Sequence, residues 1–272
     1  MASRCLGRDT VKPAPAPFSN DGERISCLMV TADRRHLAER AIDCFLAQSY
    51  PNRELVVVDD GVQDYSAVLS CVPADRLIHH RLVKDPATTL GALRNLSLDL
   101  ARGELIAQWD DDDWFDPDRL ARQVIALGDH AACWCPVALM HLAEPAWLDR
   151  PYIGWFQGGV PSTILHRRRD DIRYPLERRG EDSIYRDAWR PLGFTLLDDG
   201  EAALLIRCFH GANTWERAHF EKRIALTPRD RVEWGARRLL GRTEDYSRFR
   251  LTPRQRASFD AFFAHSRALG LF

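Results

Sequence analysis

The chain has 272 residues, and no apolar run in it approaches the roughly 20 residues that a membrane-spanning helix needs. Its first residues lack the apolar core of a secretory signal, so neither a spanning anchor nor export is expected. There is almost no excess charge: 38 Lys and Arg face 39 Asp and Glu, a net charge of −1. That excludes nucleic-acid binding through a general basic surface and strong attraction to anionic lipid. No Gly-x-Gly-x-x-Gly follows the first apolar strand, and no Gly-x-x-x-x-Gly-Lys occurs, which removes the dinucleotide-oxidoreductase and P-loop readings. The cysteines, seven in all, are odd in number, scattered and mostly inside apolar segments. Buried thiols in a reducing cytosol are expected rather than a disulfide framework. Cys133-Trp-Cys135 lacks the spacing of a zinc pair.

What is present is a soluble globular composition, 45% hydrophobic and 28% charged, enough for one large domain or a domain with an appendage. Residues 1–22, with alternating Pro and Ala from Pro13 to Pro17, read as a flexible arm. Strands are expected over 25–30, 54–58, 77–83 and 104–109. Helices are expected over 34–48 (Leu37, Ala41 and Phe45 inward), 89–101 (Leu93, Leu96 and Leu100 inward, Gly103 as terminator) and 117–128. Asp116 is the expected N-cap of the last of these and Pro117 its first residue. Alternation of this kind predicts an α/β fold with a mainly parallel sheet covered by helices. In such sheets ligands bind beyond the carboxyl ends of the strands. Three of those ends are polar: Thr31-Ala32-Asp33, Asp59-Asp60-Gly61 and the run Asp110 to Asp113.

The run of four aspartates sits between an apolar strand and a helix. Crowded carboxylates repel, and a divalent cation such as Mg²⁺ or Mn²⁺ would relieve the repulsion and in turn hold a diphosphate. The alternative is a solvated acidic loop that caps the next helix. The second half is less regular. One or two strands are expected over 131–142, another over 161–166, a loop over 167–179, a short helix over 182–190, and a final strand over 202–209 ending at His210-Gly211. The tail repeats a phrase, Leu226-Thr-Pro-Arg-Asp-Arg231 and Leu251-Thr-Pro-Arg-Gln-Arg256. In each, Thr is an expected N-cap, Pro the first helical residue, and Asp230 or Gln255 completes a capping box.

In order, the segment Ile25 to Thr31, the segment Leu37 to Phe45, and the stretch Ala47-Gln-Ser-Tyr-Pro-Asn-Arg-Glu-Leu-Val-Val-Val-Asp-Asp-Gly61 closely resemble the start of family 2 glycosyltransferases. Gly91-Ala-Leu-Arg-Asn95, Ala101-Arg-Gly-Glu104, the run Trp109 to Trp114 and Gly180-Glu-Asp182 continue the resemblance, which covers residues 24–190. It implies the GT-A fold: a Rossmann-like, mainly parallel central sheet flanked by helices. The domain would span 23–215, with a nucleotide-binding half (23–115) and an acceptor-binding half (116–215), followed by a helical extension (216–272). There are departures. The family's Pro-Thr before Tyr-Asn is replaced by Val30-Thr31-Ala32-Asp33, and the Ser after Asp-Gly is Val62. The Gln-x-x-Arg-Trp of processive synthases is absent, which favours single-sugar transfer over polymerisation.

The resemblance also implies site roles. The donor is a nucleoside-diphosphate sugar, with a UDP-sugar favoured, and the acceptor is a hydroxyl of unspecified identity. Thr31, Asp33 and Asp60 border the nucleoside. Arg94 and Asn95 face the diphosphate or the aspartates. Asp110 contacts ribose or a metal-bound water, Asp111 orients Arg94 or caps a helix, and Asp112 ligates Mn²⁺ or Mg²⁺. Asp182 is the base of an inverting transfer and Glu181 supports the acceptor. His210 is either a metal or diphosphate ligand or a surface histidine at a strand end. Trp155, Phe156 and Gly158-Gly159 fall on the acceptor loop or in the core. The expected location is cytoplasmic, free or peripheral to the inner face of the membrane. A sugar nucleotidyltransferase and a non-catalytic sugar-nucleotide or carbohydrate-binding relative are the competing readings. The first would need a Gly- and Lys-rich phosphate loop after the first strand, and the second would be favoured by eroded acidic motifs.

Overall fold

The computed structural model describes residues 22–272 apart from residues 146, 212, 214 and 215; the expected N-terminal arm, with Cys5, lies outside the described residues except for Gly22. The chain begins with β1 (Ile25–Thr31), α1 (Arg35–Leu46), β2 (Arg53–Asp59), a single turn α2 (Ser66–Leu69), β3 (Leu77–Arg81), α3 (Leu90–Leu100) and β4 (Leu105–Gln108). It continues with β5 (Trp114–Phe115), α4 (Arg119–Leu127), β6 (Ala132–Trp134), β7 (Val137–Leu142), β8 (Tyr152–Trp155) and β9 (Leu165–Arg167). Then follow α5 (Glu181–Ala188), β10 (Phe194–Leu196), β11 (Leu205–Phe209), α6 (Arg217–Lys222), α7 (Pro228–Leu239) and α8 (Pro253–Ala268).

Seven strands form the main sheet in the order β10-β6-β9-β4-β1-β2-β3. The β3-β2-β1-β4 half is parallel, and β9 runs antiparallel between β4 and β6. The expected α/β fold with a mainly parallel sheet is therefore present. The buried strands β1 and β2 read as near-continuous apolar runs because helices cover both faces. A second sheet, β5-β11-β7-β8, receives the chain as it leaves the aspartate run. Strand β4 thus ends in one sheet and β5 begins in the other, so Asp110–Asp113 lie at the junction of the two.

Burial explains why the junction is rigid. Trp109 is fully buried; its ring meets Phe115 at 4.0 Å between centroids and Phe45 of α1 edge-on at 6.3 Å. Its indole N–H donates to the Ala41 carbonyl at 3.0 Å. Each such apolar side chain contributes roughly 1.5–3 kcal/mol on burial, so the aspartates hang from one of the best-packed points of the core. The C-terminal helix reinforces this. Arg40 of α1, itself buried, donates to the Asp112 carbonyl at 2.6 Å and to Ser266 Oγ of α8 at 3.0 Å. Phe259 and Phe262 of α8 pack against His141 of β7.

Several local expectations are corrected. Helix α4 begins at Arg119, not Pro117, because the Asp116 carboxylate accepts from Asp118 N at 3.0 Å and holds a turn ahead of the helix. Helix α3 ends at an extended Ala101 rather than a left-handed glycine. Gly103 serves another purpose: a Cβ there would stand 2.5 Å from the Arg24 carbonyl, so glycine lets the turn pack on β1. Residues 161–163 and 199–204 are 3-10 turns, leaving β9 and β11 shorter than expected. Both Thr-Pro phrases form complete capping boxes, at α7 and α8. Cys27, Cys44, Cys133, Cys135 and Cys208 are buried thiols, and burial pushes all five up. No described helix is long and apolar enough to cross a membrane.

Candidate active site

The four carboxylates do not share one environment. Asp111 is buried, its Oδ2 accepting from Thr31 Oγ1 at 2.6 Å and its Oδ1 from Arg34 Nη2 at 2.7 Å. Burial pushes this carboxyl up, against the pull of Arg34. Asp113 is buried as well, accepting from Cys208 N at 3.2 Å with Arg207 Nε 3.8 Å away. Asp110 and Asp112 face a cleft. Asp110 accepts from Gln108 Nε2 at 2.8 Å and Arg94 Nη2 at 3.3 Å. Asp112 Oδ2 gathers Arg34 Nη1 at 3.1 Å, His210 Nε2 at 3.3 Å and Asn213 Nδ2 at 3.3 Å. Burial opposes its charge, but the His210 hydrogen bond and Arg34 hold it well below the usual carboxylate range.

The cleft spans about 680 Å³, open solvent at its mouth included, and is lined by Asp110, Asp111, Asp112, Arg94, Glu181 and Asp182 among others. Its far wall is the start of α5, where Gly180 takes φ +78° as N-cap, a left-handed conformation that costs glycine little. Glu181 and Asp182 follow it, as a helix N-terminus favours, but they do different things. Glu181 is only 2% exposed and ion-pairs with Arg94 Nε at 3.2 Å. Burial raises its carboxyl while Arg94 lowers it. Asp182 is partly exposed, accepts from Ser183 N at 2.6 Å through Oδ1, and lines the cleft. A second, smaller cleft of about 350 Å³ adjoins it, and Asp182 and Arg207 line both.

The remaining expected residues separate into two groups. Asp60 follows β2 and is partly exposed; burial raises its carboxyl, which accepts no hydrogen bond among the described residues. Thr31, Asp33 and Asn95 are engaged by the protein. Thr31 is buried and supports Asp111. Asp33, the one described non-glycine residue with positive φ (+56°), caps the loop after β2 by accepting from Val62 N at 2.7 Å and Gln63 N at 3.1 Å. Asn95 clamps Tyr174, donating to its carbonyl at 2.9 Å and accepting from its N–H at 2.8 Å. Arg94 is placed among Asp110, Glu181 and the Tyr174 ring, not at an open helix end.

Sequence reasoning missed Arg34, Arg207 and Asn213. Arg207 carried a readable signal, a single charge in the apolar strand Leu-Ile-Arg-Cys-Phe. Arg34 and Asn213 carried none, since their roles depend on tertiary contacts to Asp112. Trp155 lines neither cleft, whereas Phe156 lines the smaller one; residues 214–215 beyond His210 lie outside the described residues.

Among the described residues no cluster of three His, Cys, Asp or Glu side chains could hold a cation unaided. Two donors do meet, Asp112 and His210 at 3.3 Å. That donor set fits a hard cation completing its shell with phosphate oxygens and water, with imidazole better suited to Mn²⁺ than to Mg²⁺.

Comparison with known proteins places the chain in a family and a fold. An uncharacterized glycosyltransferase of Haemophilus influenzae is 32% identical over 198 residues, 67% of this chain and 78% of that one. Escherichia coli WcaA, named for colanic acid biosynthesis, is 39% identical over 103 residues, 36% of this chain; the match spans only about a third (35%) of its length. Among solved structures, S. aureus TarS 1–349 in complex with UDP superimposes with a TM-score of 0.56, covering 90% of each chain at 16% identity. The Pyrobaculum calidifontis mannosyltransferase PcManGT, in complex with GDP-Man and Mn²⁺, gives 0.53, covering 96% of this chain and 76% of that one at 16% identity. These two share its GT-A fold. The model of glycosyl transferase family 2 matches residues 26–175, more than half of the chain, and the protein is a member of that family.

Proposed function

We propose that the protein is a metal-dependent, inverting glycosyltransferase that moves one sugar from a nucleoside-diphosphate sugar to a hydroxyl acceptor, in glycan or surface-polysaccharide assembly in the cytoplasm, free or peripheral to the inner face of the membrane. The observation that carries this reading is the position of Asp182, on the wall common to the two clefts and across the larger one from the aspartates. The larger cleft is then the donor site, formed between residues 23–115 and the start of α5. The smaller is the acceptor site, and residues 216–272 brace the base of the site through α8.

In this reading Asp60 binds the nucleoside, its unpartnered carboxylate accepting from the base or ribose. Arg94, with Asp110 and Glu181 fixing its guanidinium, faces the diphosphate. Asp112 and His210 would hold a divalent cation, which when bound supplies positive charge to the departing diphosphate. Asp182 takes the proton of the acceptor hydroxyl as that oxygen attacks the anomeric carbon. The bond from that carbon to the diphosphate breaks, and nucleoside diphosphate leaves. One base on the face opposite the leaving group gives a single displacement, hence inversion. Thr31, Asp33, Asp111 and Asn95 keep the walls in place.

One observation favours a second reading. Arg34 bridges Asp111 and Asp112 at 2.7 and 3.1 Å, where a guanidinium could itself serve as the resident cation. The readings separate by incubating the protein with a panel of UDP- and GDP-sugars, with Mn²⁺ or with EDTA, and measuring released nucleoside diphosphate. Release only with Mn²⁺ supports the metal. Equal release in EDTA assigns the charge to Arg34. Pyrophosphate released when UTP or GTP and a sugar 1-phosphate replace the sugar nucleotides would instead indicate a nucleotidyltransferase, and no release in either assay a binding protein.

A further inference from the structure

The smaller cleft is strongly cationic. Arg186, Arg207 and Arg223 line it together with His219 and Phe156, and Asp182 is the only carboxylate among its described lining residues. Arg186 is partly neutralised by Asp187 at 2.8 Å, and Arg207 stands 3.8 Å from Asp113. Arg223 differs. Among the described residues no carboxylate lies within ion-pair distance of it, and its buried Nε, like that of Arg207, has no hydrogen-bond partner there. Its guanidinium stacks on Phe156 at 4.3 Å from the ring centroid and donates through Nη2 to His219 Nε2 at 3.2 Å.

The environment is unfavourable for a cation with nothing to neutralise it. Burial pulls the Arg223 guanidinium down to about 10, with Arg207 adding repulsion. Burial, then Arg223 and Arg207, pull His219 down to about 4, so it is neutral at pH 7 and can accept the Arg223 hydrogen bond. Ion pairs offset the charge of Arg186 and Arg207, but among the described residues no carboxylate pairs with Arg223. An anion in the cleft would supply that partner, and a guanidinium suits phosphate or carboxylate oxygens.

We infer that this cleft takes an acidic acceptor, a sugar bearing a phosphate or carboxylate close to the hydroxyl that is glycosylated, and that Arg223 is the residue that selects it. The inference rests on the reading of the larger cleft as the donor site. In that arrangement Arg223 and Arg207 hold the acidic group on one side of the acceptor, and Asp182 meets its hydroxyl on the other.

The test is calorimetric titration of the intact protein, saturated with UDP and Mn²⁺ so that the donor cleft is blocked. The titrants are glucose 1-phosphate, glucuronic acid and methyl glucoside. At least one of the two acidic sugars should bind tenfold or more tightly than the neutral glycoside, and which one does so distinguishes a phosphate from a carboxylate acceptor. Arg223→Gln should remove that preference and Arg223→Lys should keep most of it. Gln157→Glu changes an exposed residue of the same wall and should lower acidic-sugar affinity by about threefold or more even if Arg223→Gln does not fold. Equal binding of the three sugars, no binding of any, or a preference that survives both Arg223→Gln and Gln157→Glu overturns the inference. If UDP does not bind, the donor-site reading fails separately. The same titration of the unliganded protein then still decides whether the cleft prefers acidic sugars through Arg223.

Discussion

His210 Nε2 lies 3.3 Å from Asp112 Oδ2, although the two residues are 98 positions apart. Strand β11 makes the contact, leaving the second sheet beside the aspartate run and ending at Phe209. If these two side chains hold the cation, removing either should weaken Mn²⁺-dependent UDP or GDP binding. We expect a loss of about tenfold to a hundredfold for His210→Gln, the scale of a charge-assisted contact worth about 1.5–3 kcal/mol, and at least as much for Asp112→Asn. Calorimetry with and without EDTA reads this directly. Unchanged Mn²⁺-dependent affinity in His210→Gln would remove it from the cation site.

Glu181 and Asp182 are neighbours with separate roles. Among the described residues Glu181→Gln leaves the buried Arg94 with Asp110 as its one ion-pair partner, which should cost about 3 kcal/mol of stability, the low end for breaking a buried pair. Asp182→Asn changes a partly exposed side chain and should cost far less. Urea unfolding of the two variants separates them, and equal midpoints would mean that the Arg94 pair contributes little.

Asp60→Ala should weaken nucleoside-diphosphate binding by about tenfold, as loss of one charge-assisted hydrogen bond does, with an unchanged melting temperature because the Asp60 N–H bond to the Thr31 carbonyl is kept and its carboxylate accepts no hydrogen bond among the described residues. Affinity equal to wild type in the folded variant would leave Asp60 as a turn residue only.

Helix α8 braces the site at a distance. Thr252→Ala removes the hydroxyl that accepts from Gln255 N at 3.2 Å and should cost about 1 kcal/mol. Phe262→Ala empties a fully buried site and should cost about 3–5 kcal/mol. Thermal unfolding measures both, and a Phe262→Ala effect under 1 kcal/mol would mean α8 is not part of the cooperative core.

The parallel half of the sheet was legible because β1, β2 and β4 are largely apolar runs and each helix carries its apolar face at regular spacing. Both capping boxes in the tail could be read from four residues each. The polar strand ends were visible too, but the division of labour among them was not. Thr31 and Asp111 look like ligand contacts until their mutual 2.6 Å hydrogen bond is seen, and Asn95 until its clamp on Tyr174 is seen. Local patterning shows where polar groups cluster. Only the pairing of β11 with β5 and the packing of α5 on α3 show which of them face the cleft and which face each other.

The central claim is that Asp182 is the base. The direct measurement is single-turnover transfer by wild type and Asp182→Asn, using the donor and acceptor that give the fastest wild-type rate, with the product anomer assigned by NMR. The amide is nearly isosteric but cannot take the proton, so the rate should fall by about 10²- to 10⁴-fold, while UDP binding with Mn²⁺ stays within about twofold of wild type and the wild-type product is inverted. A rate for Asp182→Asn close to wild type, or a product with the donor's anomeric configuration, would contradict the account.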